Sequence, residues 1–228
     1  DSHTCSLGAL GAMAWGVGSS ECEHALATNT LVKKKPKSML VNINGITKDG
    51  VTSKDIILHL ISKYGANGAN GHAIEFRGKA IDEMSIESRL TLCNMAVEFG
   101  AMTGIISPDK KTIDYISGKP FAPKDEEQKL AEDYWTKLKS DDDAHYSKVI
   151  EVDASKLNTY VTWGTSPEHA IEIEEIIPTV NPSNSKRENE SIQRALDYMG
   201  LKESDAIKGT KIDAAFIGSC TNSRLSDL

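Results

Sequence analysis

The chain has 228 residues, enough for one large or two ordinary domains, and 39% of them are apolar, enough for a real core. Its formal net charge of −7 argues against a nucleic-acid backbone as partner, since such a partner needs a basic face. No apolar stretch approaches the roughly 18 residues of a membrane span, and no signal peptide is visible.

Residues 1–31 are rich in Gly, Ala, Ser and Thr, and segments such as Leu7-Gly8-Ala9 suit close backbone approach. The basic run Lys33-Lys34-Lys35-Pro36-Lys37 reads as a solvated connection. Residues 39–43 read as a strand. Ser53 is placed to cap a helix over 53–64, with Ile56, Ile57, Leu60 and Ile61 on one face and Gly65 as its stop. Residues 73–76 form a second short strand. Residues 85–99 read as a helix whose apolar residues are Ile86, Leu90, Cys93, Ala96 and Val97.

A charged stretch follows over 117–147, with an amphipathic surface helix at 126–138. Asp141-Asp142-Asp143 reads as a solvated turn, because adjacent carboxylates point in different directions. Residues 148–152 read as a strand, 178–189 as a loop, and 191–199 as a helix stopped by Gly200. The apolar run Ala214-Ala215-Phe216-Ile217 reads as a buried strand leading into a strand-to-helix turn over 219–223. This alternation predicts α/β layers.

Four cysteines, Cys5, Cys22, Cys93 and Cys220, are too scattered for a disulfide framework, and a reducing cytosol suits them. Cys93 lies in an apolar pattern and reads as core. Cys220 differs: at a helix start, free N–H groups favour the thiolate, the form that ligates metal. A structural role for it stays open. His24, His59, His72, His145 and His169 are scattered and read as surface or locally satisfied. Asp1 and His3 share one short turn, where they can relay a proton or simply close the turn with local hydrogen bonds. Asn94 and Glu98 stand four apart, on one face of the expected helix, either as a functional pair or as a structural contact.

Three motifs taken in order are more specific. Asp1-Ser2-His3-Thr4, then residues 93–101 (Cys-Asn-Met-Ala-Val-Glu-Phe-Gly-Ala), then Ile217-Gly218-Ser219-Cys220-Thr221-Asn222-Ser223 resemble the aconitase superfamily. Val161-Thr162-Trp163-Gly164-Thr165-Ser166-Pro167-Glu168 looks like the bacterial large-subunit branch of the 3-isopropylmalate dehydratases. The resemblance covers essentially the whole chain. It implies a fold of three-layer α/β/α domains, here in part: 1–38 as the end of a first domain, 39–160 as a middle domain, 161–228 as the start of a third.

The implied reaction interconverts 2-isopropylmalate and 3-isopropylmalate by dehydration and rehydration, in leucine biosynthesis. The implied cofactor is a [4Fe-4S] cluster on three cysteines, with Cys220 in the place of the first. Asp1 and His3 match the pair near the iron-bound hydroxyl, Glu98 a carboxylate that contacts iron-bound water and a histidine, and Asn94 the amide that orients this network. The implied partner is a small subunit carrying the swivelling domain, with its substrate-recognition arginines and serine base. The family's other two cluster cysteines belong to a later Cys-x-x-Cys that this sequence does not contain. The chain is therefore expected to be an internal piece of a cytoplasmic enzyme, with no cluster and no activity of its own. A homoaconitase or citraconate-type hydro-lyase shares the three motifs. Some cluster-free relatives bind RNA, a reading the charge opposes and a filter-binding assay would test.

Overall fold

Alternate residues of the central strand, Met39, Val41 and Ile43, are fully buried, and they set the layering. The structure, a computed structural model, describes residues 1–181 and 184–227. Strand β1 (Lys37–Asn44) lies between β2 (His72–Arg77) and β4 (Lys148–Asp153), and β3 (Thr103–Ile105) lies outside β2. The order β3-β2-β1-β4 is parallel throughout.

Paired residues of parallel strands share a face. Met39 pairs with Ile74, and Val41 with Phe76 and Ile150, so one face is a continuous apolar surface. The other face carries Leu40 beside Glu75 and Val149, then Asn42 beside Arg77 and Glu151. Parallel sheets usually bury both faces. Here the second face is part polar, and Ser140 and Tyr146 reach it by donating to Glu75 Oε2 at 2.7 and 2.5 Å.

Helix α2 (Ser53–Tyr64) buries Ile56, Ile57, Leu60 and Ile61, the expected face, and stops at Gly65 with φ 82°. Its cap lies one residue earlier than expected, at Thr52, because the Asp55 carboxylate accepts from both the N–H and the hydroxyl of Thr52 at 2.7 Å. The other Asp55 oxygen accepts from Tyr160 N, so this buried carboxylate ties α2 to a segment about a hundred residues later in the chain.

After the one-turn helix at Lys79–Glu83 (α3), helix α4 covers Ile86–Asn94, capped by Ser85. The expectation of a helix to residue 99 is corrected. The chain leaves the helix at Met95 and runs through turns to Gly100, whose φ is 90°. There Ala96 N donates to Cys93 O at 3.3 Å and Gly100 N to Val97 O at 2.9 Å, turn bonds in place of a continued helical ladder, and the turns pack on the loop before β2, where Ala69 N donates to the carbonyl of the buried Phe99 at 2.9 Å.

Helices α5 (Lys110–Ile116) and α6 (Asp125–Trp135) follow; α6 buries none of its residues, as a surface helix should. Asp141, Asp142 and Asp143 are exposed. Strands β5 (Tyr160–Thr162) and β6 (Ala170–Glu172) form an antiparallel pair. Beside it, helix α7 (Lys186–Met199) supplies Ala195 and Leu196 to a smaller cluster with Trp163, Ile171 and Ile177. Helix α7 starts five residues before the expected position. Ser185 and Glu188 form a capping box there, with Ser185 N donating to Glu188 Oε2 and Glu188 N to Ser185 Oγ. Of the loop expected at 178–189, Pro182 and Ser183 lie outside the described residues.

The expected strand at 214–217 is also corrected. These residues are irregular and exposed, with Phe216 91% and Ile217 60% accessible. A strand needs a neighbour for its backbone N–H and C=O groups, and among the described residues none pairs with this segment. The alternation of helices with a parallel sheet bears out the α/β class, and no helix of the described residues is long and apolar enough to cross a membrane.

Candidate active site

The first ten residues are held by backbone contact. Residues Ser2–Leu10 form a 3-10 helix against α4 and the edge strand β3. Gly8 crosses Gly104 so closely that a Cβ on Gly8 would stand 1.7 Å from Gly104 O, and Ile106 N donates to Gly8 O at 2.9 Å. Cys5 Sγ lies 3.3 Å from Asn94 O and 3.2 Å from Ser2 O. Burial, then the charge of Glu98, pushes the Cys5 thiol up to about 11, so it stays a protonated donor. Burial also pushes Cys93 up.

Asp1 caps this helix: its Oδ1 accepts from His3 N at 2.8 Å, while its distance to His3 Nδ1 is 4.0 Å. The local-turn reading of this pair therefore describes the contact that exists. The cap fixes the start of the helix and with it the base of the His3 side chain.

His3 Nε2 lies 3.7 Å from Glu98 Oε1 and 3.7 Å from Cys220 Sγ, a residue 217 positions away. At 3.7 Å the His3–Glu98 contact is an ion-pair distance, longer than a direct hydrogen bond. Glu98 Oε2 is buried and has no hydrogen-bond partner. Buried polar atoms are nearly always satisfied, so this oxygen faces a position where a donor is wanted.

Asn94, fully buried, stands behind these groups. Its Nδ2 donates to Ser6 Oγ at 2.8 Å, and Ser6 Oγ donates to His3 O at 2.7 Å. Its Oδ1 accepts from Thr221 Oγ1 at 2.9 Å. One amide thus holds both the His3 turn and the Cys220 turn. Asn94, the last residue of α4, and Glu98, beyond the helix end, both lie against the His3 turn, although not from one helix face.

Cys220 sits in an exposed turn that precedes a short 3-10 helix, Leu225–Asp227. The turn closes on Ser219, whose hydroxyl accepts from the N–H of Thr221 and of Asn222, both at 3.1 Å. The structure thus gathers Asp1, His3, Asn94, Glu98 and Cys220. Sequence reasoning missed Ser6, Thr91, Asn222 and Arg224, which join these turns to α4. The available signal was Glu87, Ser88, Thr91 and Asn94, a run of polar residues at helical spacing of which Thr91 and Asn94 are buried.

A cavity of about 680 Å³ opens beside Glu98, lined among others by Met95, Leu58, Tyr160 and the loop from Gly164 to Pro167. Trp163 anchors that loop, buried and stacked on His169 with ring centres 4.5 Å apart. His59 pairs with Tyr160 Oη at 2.8 Å and His72 with Asn70 O at 2.8 Å, so both are locally satisfied.

The chain was compared with known protein families. The model described as the aconitase family (aconitate hydratase) matches residues 1–228. That match spans the His3 turn, the segment after α4 and the Cys220 turn, the parts that the fold brings together, and the chain belongs to the aconitase family.

Proposed function

We propose that this chain is the large-subunit part of a hydro-lyase that isomerises 2-isopropylmalate to 3-isopropylmalate in leucine biosynthesis, in the cytoplasm and with a small swivelling-domain subunit. The observation that carries the reading is the convergence of His3, Glu98 and Cys220, at 3.7 Å from one imidazole nitrogen, in a chain of the aconitase family. The choice of substrate rests on the sequence of the loop from Val161 to Glu168, part of which lines the cavity beside Glu98.

Family members use a [4Fe-4S] cluster. The residues here fit one corner of it. Cys220 is exposed and turned toward His3, whereas Cys5 and Cys93 are buried thiols, and among the described residues no group of three His, Cys, Asp or Glu is placed to hold a metal ion. In this reading Cys220 gives one thiolate and the other two come from outside these 228 residues. The cluster, when bound, supplies a Lewis-acidic iron to the substrate's hydroxyl and carboxylate.

The chain's own residues handle protons. A leaving hydroxide needs a proton, and His3 Nε2 is placed to hold one, with Glu98 Oε1 as its carboxylate partner. Glu98 Oε2 accepts from the water or hydroxyl that enters the cleft and meets the need of that buried atom. Asp1 and Asn94 fix the two turns and carry no proton in this scheme.

The test is the full-length large subunit with its small subunit, assayed on 2-isopropylmalate and on the homoaconitase and citraconate-type substrates. Glu98→Gln should keep the iron–thiolate absorbance and slow turnover by on the order of 10²–10⁴. Wild-type turnover in that variant would remove Glu98 from the scheme, and preference for a tricarboxylate would overturn the substrate.

A further inference from the structure

Thr91 lies one turn before Asn94 on α4 and is 1% exposed. A threonine inside a helix commonly donates its hydroxyl to the carbonyl four residues back. Here that carbonyl, Glu87 O, is approached instead by Arg224 Nη1 at 3.5 Å. The Thr91 hydroxyl points away from its own helix. It donates to Thr221 O at 3.4 Å and accepts from Asn222 Nδ2 at 3.3 Å and from Arg224 Nη1 at 3.2 Å. A hydroxyl has one donor and two acceptor positions. All three are spent on the four residues that follow Cys220.

Those residues have few other holds on the body of the protein. Apart from Thr91, Asn222 bonds only to Asp227 and Ser219 within the segment, Arg224 reaches the body only through its long 3.5 Å contact to Glu87 O, and the Thr221 hydroxyl donates to Asn94. The flanking Phe216, Ile217 and Leu225 are exposed and offer no apolar anchorage. We propose that Thr91 is a positioning residue: its hydroxyl is the peg on which the Cys220 turn is hung, setting where that thiol stands relative to His3 and Glu98. The meaning of this role rests on Cys220 being an iron ligand. The role itself is readable without iron.

The experiment compares Thr91→Val, which keeps the shape and removes the hydroxyl, with Thr91→Ser, which keeps the hydroxyl. Both are made in the full-length chain with its partner. In cluster-free protein, amide hydrogen exchange at Ser219, Asn222 and Arg224 should rise on the order of tenfold in Thr91→Val, the scale of one or two lost hydrogen bonds, and return toward wild type in Thr91→Ser. Amides of β1 and α2 should not change. In reconstituted protein, chelator should bleach the iron–thiolate absorbance faster in Thr91→Val alone. Wild-type exchange at the turn in Thr91→Val would overturn the proposal, and so would a rise spread evenly over the core. If Thr91→Val does not fold, Arg224→Met releases the same turn from its outer side: faster exchange confined to 219–227 supports the proposal, and unchanged exchange overturns it. The exchange readout needs neither substrate nor cluster, so it can fail or succeed independently of the isopropylmalate reading.

Discussion

Strand β1 and the segment 214–217 are short apolar runs with opposite fates. Val41 and Ile43 are fully buried between two neighbouring strands, while Phe216 and Ile217 stand in solvent. What separates them is the availability of partners for the backbone, because hydrophobicity alone does not make a strand. The contrast extends to how each region is held. The sheet is held by apolar burial spread over many side chains. The last described segment is held near Cys220 by a handful of polar bonds to Thr91 and Asn94. The candidate site straddles the seam, with His3 and Glu98 on the packed side and Cys220 on the pegged side.

Three measurements would break or sharpen that contrast. The largest effect belongs to the packed side. Phe76→Ala should cost about 3–5 kcal/mol in a urea unfolding experiment, since the ring is buried on the inner face of β2 beside Val41. A cost under about 1 kcal/mol would mean the sheet is not the stabilising unit described here.

A smaller effect tests the polar edge of the core. Burial disfavours the charge on Asp109, but hydrogen bonds from Arg89 and from Thr112 outweigh it and hold the carboxyl below its ordinary range. A depressed carboxyl stabilises above its unfolded value, about pH 4, and this contribution fades as pH falls through the lower folded value. Asp109→Asn should therefore cost about 1–3 kcal/mol at neutral pH. The gap to wild type should narrow in strong acid. A gap that stayed constant with pH would assign the loss to shape and not to charge.

The smallest effect is expected outside the packed region. Phe216→Ser in this 228-residue chain should move stability by no more than about 0.5 kcal/mol, because the ring is 91% exposed. A substantial loss would show that the segment packs after all, and the contrast drawn above would fall.

The sequence made the sheet legible because period-two burial in β1 and the apolar face of α2 are local signals. It misplaced the end of α4 because the turns that follow pack on the loop at 66–69, a contact that is not local. It misjudged 214–217 for the reason already given. The site residues Asp1, His3, Asn94, Glu98 and Cys220 stood out only through the order of three motifs. Their spacing misled in one respect: Asn94 and Glu98 read as helix neighbours, but the helix pair that meets the Cys220 turn is Thr91 and Asn94. A single threonine on a polar helix stripe carries no mark of function, and its partners lie about 130 positions later.

The amide of Asn94 has one further consequence. An amide group is flat, and the gap between its oxygen and nitrogen is fixed by covalent bonds. With Ser6 on the nitrogen and Thr221 on the oxygen, the spacing between the two turns is gauged by a rigid bar and does not depend on loop length. Aspartate cannot stand in, because a carboxylate has no donor for Ser6, and glutamine would lengthen the bar by one methylene. Insertions elsewhere in the connecting chain leave the gauge untouched, so the loops between these motifs are free to vary in length while the spacing of the Ser6 and Thr221 hydroxyls stays the same.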